Sequence, residues 1–352
     1  MDETPEIPDL RSMALPNKPD CPIKYTFRSL SPSNESLSEA ILIVFVNGLG
    51  LPQSSWQPTL QLLRADLAGS PPPLPSPSSS TGGDDSYAVA VTAATYDRYG
   101  QGLSQPLPPG AKPVSHDMLD AARDLTAFID GVKSQHLTHL VSCGKPIHLF
   151  LVAHSLGVPL ARLYAEHHAA EAPISALLVL DSNMANNDFV SLFPDPEDPG
   201  FDPGRDLPAD TSIEQLQSAR AFARAMFHPA APNGENLDRT ALPALLPQSD
   251  GPVLLGDDNT GGKLLLQVTG HDPETFAAES LKVWPRGLTE RYVQPVWEKY
   301  NEGLLCIAGS EPAASGGVVT APNSGHFIQK NNPRFVADEV VALLRRICRG
   351  GS

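Results

Sequence analysis

Uninterrupted apolar runs alternate with helical stripes along most of this chain. Residues 40–46 (Ala-Ile-Leu-Ile-Val-Phe-Val) contain no polar side chain, as expected of a central parallel strand covered on both faces. Further runs at 87–95, 147–152, 176–180 and 263–269 predict more buried strands, and 318–321 predicts a short last one. Residues 23–29 alternate well enough for a strand ahead of them all. Between the runs the period changes. In 115–132, Met118, Ala122, Leu125, Phe128, Ile129 and Val132 recur at helical spacing. A second helix runs through Leu156, Leu160, Leu163 and Tyr164, and 288–305 reads as a third. The final helix opens with Asn332 as N-cap and Pro333 at its first position, then buries Phe335, Val336, Val340, Leu343 and Leu344. Strands alternating with helices predict a mostly parallel central sheet flanked by helices, with right-handed crossovers.

Three stretches depart from that rhythm. Residues 1–22 read as a flexible or surface-hugging arm. Residues 69–86 (GSPPPLPSPSSSTGGDDS) are low in complexity and cannot pack a core. Residues 183–262 are rich in Pro, Asp and Gly, with one clear helix at 212–227 whose apolar stripe is Ile213, Leu216, Ala219, Ala223, Met226 and Phe227. That stripe suits a core helix, or a lid across the strand ends. The expected organisation is a core formed by 23–182 and 263–352, interrupted by a lid insertion at 183–262.

Composition narrows the function classes. A hydrophobic fraction of 41% supports a sizeable core. A formal charge of −15, with no basic run, argues against a nucleic-acid partner. The four cysteines are scattered, without C-x-x-C or metal spacing. The acidic, Pro-rich start is unlike a secretory leader, and the apolar runs are far too short to span a bilayer. A cytoplasmic protein is expected. No Walker A loop, dinucleotide turn or H-E-x-x-H pair stands out, so no cofactor and no metal are predicted.

The chemistry sits where the run 147–152 meets Ala153-His154-Ser155-Leu156-Gly157. A strand feeding a small-x-Ser-x-small turn and then a helix is a nucleophile elbow, which leaves the serine oxygen exposed above a sheet. Three other segments accompany it in order. They are Val46-Asn47-Gly48-Leu49-Gly50, then Tyr96-Asp97-Arg98-Tyr99-Gly100-Gln101-Gly102-Leu103-Ser104, and late in the chain Ser324-Gly325-His326-Phe327. Together they resemble the α/β-hydrolase family from about residue 40 onward, and the resemblance implies that fold with a helical lid.

That resemblance implies a role for each segment. Ser155 would be the nucleophile and His326 the base that takes its proton, since an imidazole can accept and return one near neutral pH. His154 is expected to point away from the site. The acid would be Asp181, ending the strand after the elbow, or Asp272, after the next strand. Asp181 is preferred because its strand adjoins the elbow strand, and Glu311 ranks third. Backbone N–H groups of Leu49 and Leu156 would form the oxyanion hole. Asn47-Gly48 replaces the family's usual His-Gly there. Trp56, Trp284 and Trp297 read as packing residues. A serine rather than a carboxylate at the elbow argues against epoxide hydrolase chemistry.

The implied activity is hydrolysis of a hydrophobic small-molecule ester, lactone or thioester through an acyl-enzyme. Acyl transfer through the same residues, or a non-catalytic ligand-binding protein on this fold, are the alternatives.

Overall fold

The computed structural model describes residues 9–31, 37–68, 88–104, 116–168, 173–257, 260–309 and 316–349. Its strands are β1 (Arg11–Leu15), β2 (Lys18–Ser29), β3 (Leu37–Val46), β4 (Ala88–Tyr96), β5 (His116–Asp117), β6 (Ile147–His154), β7 (Ile174–Leu180), β8 (Leu237–Asp238), β9 (Leu265–Gly270) and β10 (Val319–Thr320). The main sheet runs β1-β2-β4-β3-β6-β7-β9-β10. From β4 to β10 every pairing is parallel, whereas β1 and β2 are antiparallel additions at one edge.

Strand β3 shows why the centre holds. Ala40, Leu42, Val44 and Val46 join one apolar cluster, with the helices Met118–His136 and Gly157–His168. Ile41, Ile43 and Phe45 join the other, with the helices Gln57–Ala68 and Pro333–Cys348. A strand apolar at every position is thus buried on both faces. Side chains cap the helices Met118–His136 and Pro333–Cys348, Asn332 as the sequence suggests. Asn332 accepts from the Phe335 N–H at 3.0 Å, and Asp117 closes a capping box with Asp120.

One expectation needs correction. Residues 11–22 are not an arm but β1 and the start of β2. Met13 and Leu15 are buried, and Met13 lies against Gly131 of the helix Met118–His136. Polar outward-facing neighbours concealed the period-two pattern of this edge hairpin. The helix expected at 288–305 forms, with a π turn within it at Thr289–Val293, ahead of the α-helical Gln294–Leu304. Pro295 has no N–H to continue the ladder, so the turn widens just ahead of it.

Residues 183–262 lie between β7 and β9. Their main helix is Ile213–Met226, capped by Ser212 with Gln215. Leu216, Ala219 and Ala223 are buried, while Ile213, Met226 and Phe227 stay exposed. Several ties fix this segment to the core. The pair β5·β8 is one. Another is the fully buried Arg162, which donates to Tyr300 Oη at 3.0 Å and to the carbonyls of Gln248 (2.8 Å) and Gly251. The low-complexity stretch and Glu311 fall outside the described residues. Among the described residues no helix is long and apolar enough to cross a membrane.

Candidate active site

Strand β6 turns sharply into the helix Gly157–His168, and Ser155 sits on the bend with φ +52°. An L-residue adopts this left-handed conformation only when its surroundings enforce it. Here the Ser155 N–H donates to the Leu180 carbonyl at 3.1 Å, and the Val158 N–H to the Ser155 carbonyl at 3.0 Å. The helix leaves directly past β3. A Cβ on Gly157 would lie 2.3 Å from the Val46 oxygen, so no side chain fits there.

The structure brings Ser155, His326 and Asp181 together. Ser155 Oγ is 3.0 Å from His326 Nε2, and His326 Nδ1 is 2.6 Å from Asp181 Oδ2. A carboxylate only accepts, so Nδ1 carries the proton and Nε2 presents its lone pair to the serine hydroxyl. Asp181 ends β7 at φ +43°, fully buried, its N–H donating to the Thr269 carbonyl at 2.8 Å. Burial would raise its pKa, but the charge and hydrogen bonds of His271 and His326 outweigh that and hold it below the usual carboxylate range. Asp272 instead caps the helix Pro273–Ser280, accepting from the Thr275 N–H at 2.9 Å.

Two further histidines belong to this cluster. His154 does not point away: its ring centroid is 4.9 Å from that of His326. Its Nε2–H donates to the His326 carbonyl at 2.8 Å, and its Nδ1 faces Gly48, where a Cβ would approach to 2.8 Å. Burial, with His326 beside it, pushes its pKa down to about 3, so it stays neutral and braces the His326 loop. His271 hydrogen-bonds both oxygens of Asp181, at 2.8 and 2.9 Å. The sequence offered the segment Thr269 to Pro273 for its aspartate; nothing in it marked the histidine.

The loop after β3 is held by a buried polar network. Asn47 Nδ2 donates to the Tyr96 carbonyl (2.8 Å) and Gln101 Oε1 (3.0 Å), while Trp56 Nε1 donates to Asn47 Oδ1 (2.5 Å). Arg98 donates to the carbonyls of Asn47 (2.5 Å) and Gly48 (3.0 Å), and Gln101 Nε2 donates to the latter at 2.9 Å. Glu235, from the insertion, pairs with Arg98 at 2.9 Å and accepts from the Gly50 N–H at 2.5 Å. Asn47 thus holds the loop through its own amide, and Trp56 anchors it as well as filling space.

The sequence profile of the alpha/beta hydrolase family matches residues 43–339. This chain belongs to the alpha/beta hydrolase family. Solved structures resemble it at low identity. The peroxisomal alpha-beta-hydrolase Lpx1 of Saccharomyces cerevisiae is 12% identical with a TM-score of 0.53, covering 96% of this chain and 88% of its own. A thermophilic esterase from Thermogutta terrifontis is 16% identical with a TM-score of 0.48, covering 96% and 98%. An epoxide hydrolase mutant from Vigna radiata is 12% identical with a TM-score of 0.48, covering 97% and 100%. No curated protein matches the sequence.

In this alpha/beta hydrolase, Ser155 and His326 open onto a cavity of about 420 Å³, and Leu49 and Leu156 line it beside them. Its walls are mostly apolar: Phe189, Phe193 and Phe227 from the insertion meet Phe276, Trp284 and Trp297 from the later core. Trp284 and Trp297 thus pack in the core, as read from the sequence, and also line the cavity. Trp297 lies edge-on to His326 with centroids 5.4 Å apart.

Proposed function

We propose that this hydrolase cleaves an ester, lactone or thioester of a hydrophobic small molecule through an acyl-enzyme on Ser155. The observation that carries the reading is the 3.0 Å contact of Ser155 Oγ with His326 Nε2, in line with the 2.6 Å contact of His326 Nδ1 with Asp181. In this reading Ser155 Oγ attacks the carbonyl carbon as His326 Nε2 takes its proton. The buried Asp181 steadies the imidazolium that forms. His326 then hands that proton to the leaving oxygen or sulfur. A water, deprotonated by the same nitrogen, releases the acid.

The oxyanion would be met by the N–H groups of Leu49 and Leu156. Across a trans peptide the carbonyl of residue 48 and the N–H of residue 49 point opposite ways. The Gly48 carbonyl is drawn to Arg98 and Gln101, so the Leu49 N–H faces away from them, as an oxyanion donor needs. Such donors are worth about 3–4 kcal/mol each. Residues 183–262 serve as the lid, with Phe189, Phe193, Met226 and Phe227 roofing the acyl pocket. The cavity falls within the roughly 300–1,000 Å³ of small-molecule sites, and its aromatic lining favours an apolar acyl group. A serine at the elbow, not a carboxylate, favours carbonyl substrates over epoxides.

Turnover of p-nitrophenyl esters tests this. Wild-type protein is expected to hydrolyse them, and Ser155→Ala to lose about 10⁴-fold or more with an unchanged circular dichroism spectrum. A Ser155→Ala protein as active as wild type contradicts the reading.

A further inference from the structure

Asp181 faces two imidazoles. His271 Nδ1 lies 2.8 Å from Oδ1 and 2.9 Å from Oδ2, and the His271 backbone N–H donates to Oδ1 at 3.3 Å. On the far side of the ring, Nε2 is 2.8 Å from Gln294 Oε1. That amide is itself oriented, because Gln294 Nε2 donates to Glu298 Oε1 at 2.8 Å. A carboxylate and an amide oxygen can only accept. Both ring nitrogens of His271 must therefore be donors, which makes the ring an imidazolium. A neutral ring would leave one lone pair against an acceptor.

The surroundings fix that ring. His271 is buried, stacked on Phe276 at 4.0 Å between centroids, with Trp297 edge-on at 5.5 Å. Its ionisable neighbours are Asp181 at the end of β7, His326 across that carboxylate, and Glu298 and Glu302 on the helix Gln294–Leu304. Asp272, next in the chain, is turned to its helix cap. Burial alone would strip the proton from His271, but the charge of Asp181, helped by Gln294 and Glu298, raises its pKa instead.

Given the Ser155–His326–Asp181 reading, on which this rests, we propose that His271 is a positioning residue of the hydrolase. As an imidazolium it locks the rotation of Asp181 and sets the pH above which His326 is free to accept the serine proton. A carboxylate shared with a second cation pulls less strongly on a proton at His326.

Histidine ¹⁵N NMR titrations of the wild type, His271→Gln and Glu298→Gln test this, with the resonance lost in His271→Gln identifying His271. In the wild type both His271 nitrogens are expected to be protonated at pH 7. In His271→Gln, which removes the positive charge, the His326 midpoint moves up by about one pH unit. The acid limb of kcat/KM for a p-nitrophenyl ester moves with it. In Glu298→Gln, an exposed change that tests the idea even if His271→Gln does not fold, the His271 midpoint falls. A wild-type His271 that is neutral at pH 7 overturns the proposal, as does a His326 midpoint that stays put in His271→Gln while the rate merely drops. Absent ester turnover with the midpoint shift intact would instead strike the hydrolase reading and leave the coupling standing.

Discussion

A serine at φ +52° and an aspartate at φ +43° mark two strained positions of the site, each at the end of a buried strand. Their side chains differ in what they tolerate. Asp181 serves two imidazoles at once, so Asp181→Asn, which puts an N–H donor among N–H donors, is expected to lower kcat by about 10⁴-fold. Asp272→Ala removes only a helix cap, costing about 1 kcal/mol of stability with kcat near wild type. Ester kinetics and urea melts of the two variants separate the candidate acids, and equal losses of kcat would unseat Asp181. Ser155 and His326 were legible because flanking small residues and chain order announce them. His271 and His154 were not. Their identity was plain, but only the register of β9 and β6 tells which way an imidazole faces.

At the scale of elements, the insertion reaches the loop after β3 through a single carboxylate. Glu235 and Arg98 are both buried, and the pair holds the carbonyls of Asn47 and Gly48 in place. Removing one partner leaves the other charge buried without compensation. Glu235→Gln is expected to destabilise the fold by about 3–5 kcal/mol, read as a shift in urea midpoint, and to lower kcat by loosening Leu49. A stable variant with unchanged kcat would show that the latch is idle. The core strands could be read from their apolar runs, because burial on both faces erases any competing pattern. The edge hairpin β1–β2 and the π turn before Pro295 could not. The first hides its alternation among prolines and charges, and the second follows from one missing N–H. Glu235 sits in a Pro- and Gly-rich stretch where no period exists to place it.

On the scale of the whole molecule, histidine and carboxylate meet at both ends of the sheet, with different consequences. Seven residues before Ser155 on the same strand, at roughly 3.3 Å per residue, His148 is clamped between Asp257 (2.9 Å) and Glu39 (3.0 Å), with Ser175 donating to Asp257. The cluster ties β3, β6 and β7 to the insertion. Burial alone would lower the His148 pKa, but the two carboxylates raise it from 6.5 to about 9, and His148 with Ser175 holds Asp257 at about 2 against 3.8. A raised histidine stabilises fully below its unfolded value and loses that contribution as pH climbs through its folded one. The lowered Asp257 contributes above 3.8 and loses its share as pH falls through about 2. Melting temperature is therefore expected to decline between pH 6.5 and 9, by up to about 3 kcal/mol in stability. His148→Gln should lessen that decline without moving the pH profile of turnover, the remainder belonging to His271, whose pKa is also raised; a decline undiminished in the variant would assign it elsewhere.

The most direct test of Ser155 as an activated nucleophile is fluorophosphonate labelling of the full chain, with the adduct mapped by peptide mass spectrometry. Covalent modification confined to Ser155, and lost in His326→Ala, is the expected result. An unlabelled Ser155 in folded protein, or an adduct that forms equally well without His326, would contradict it.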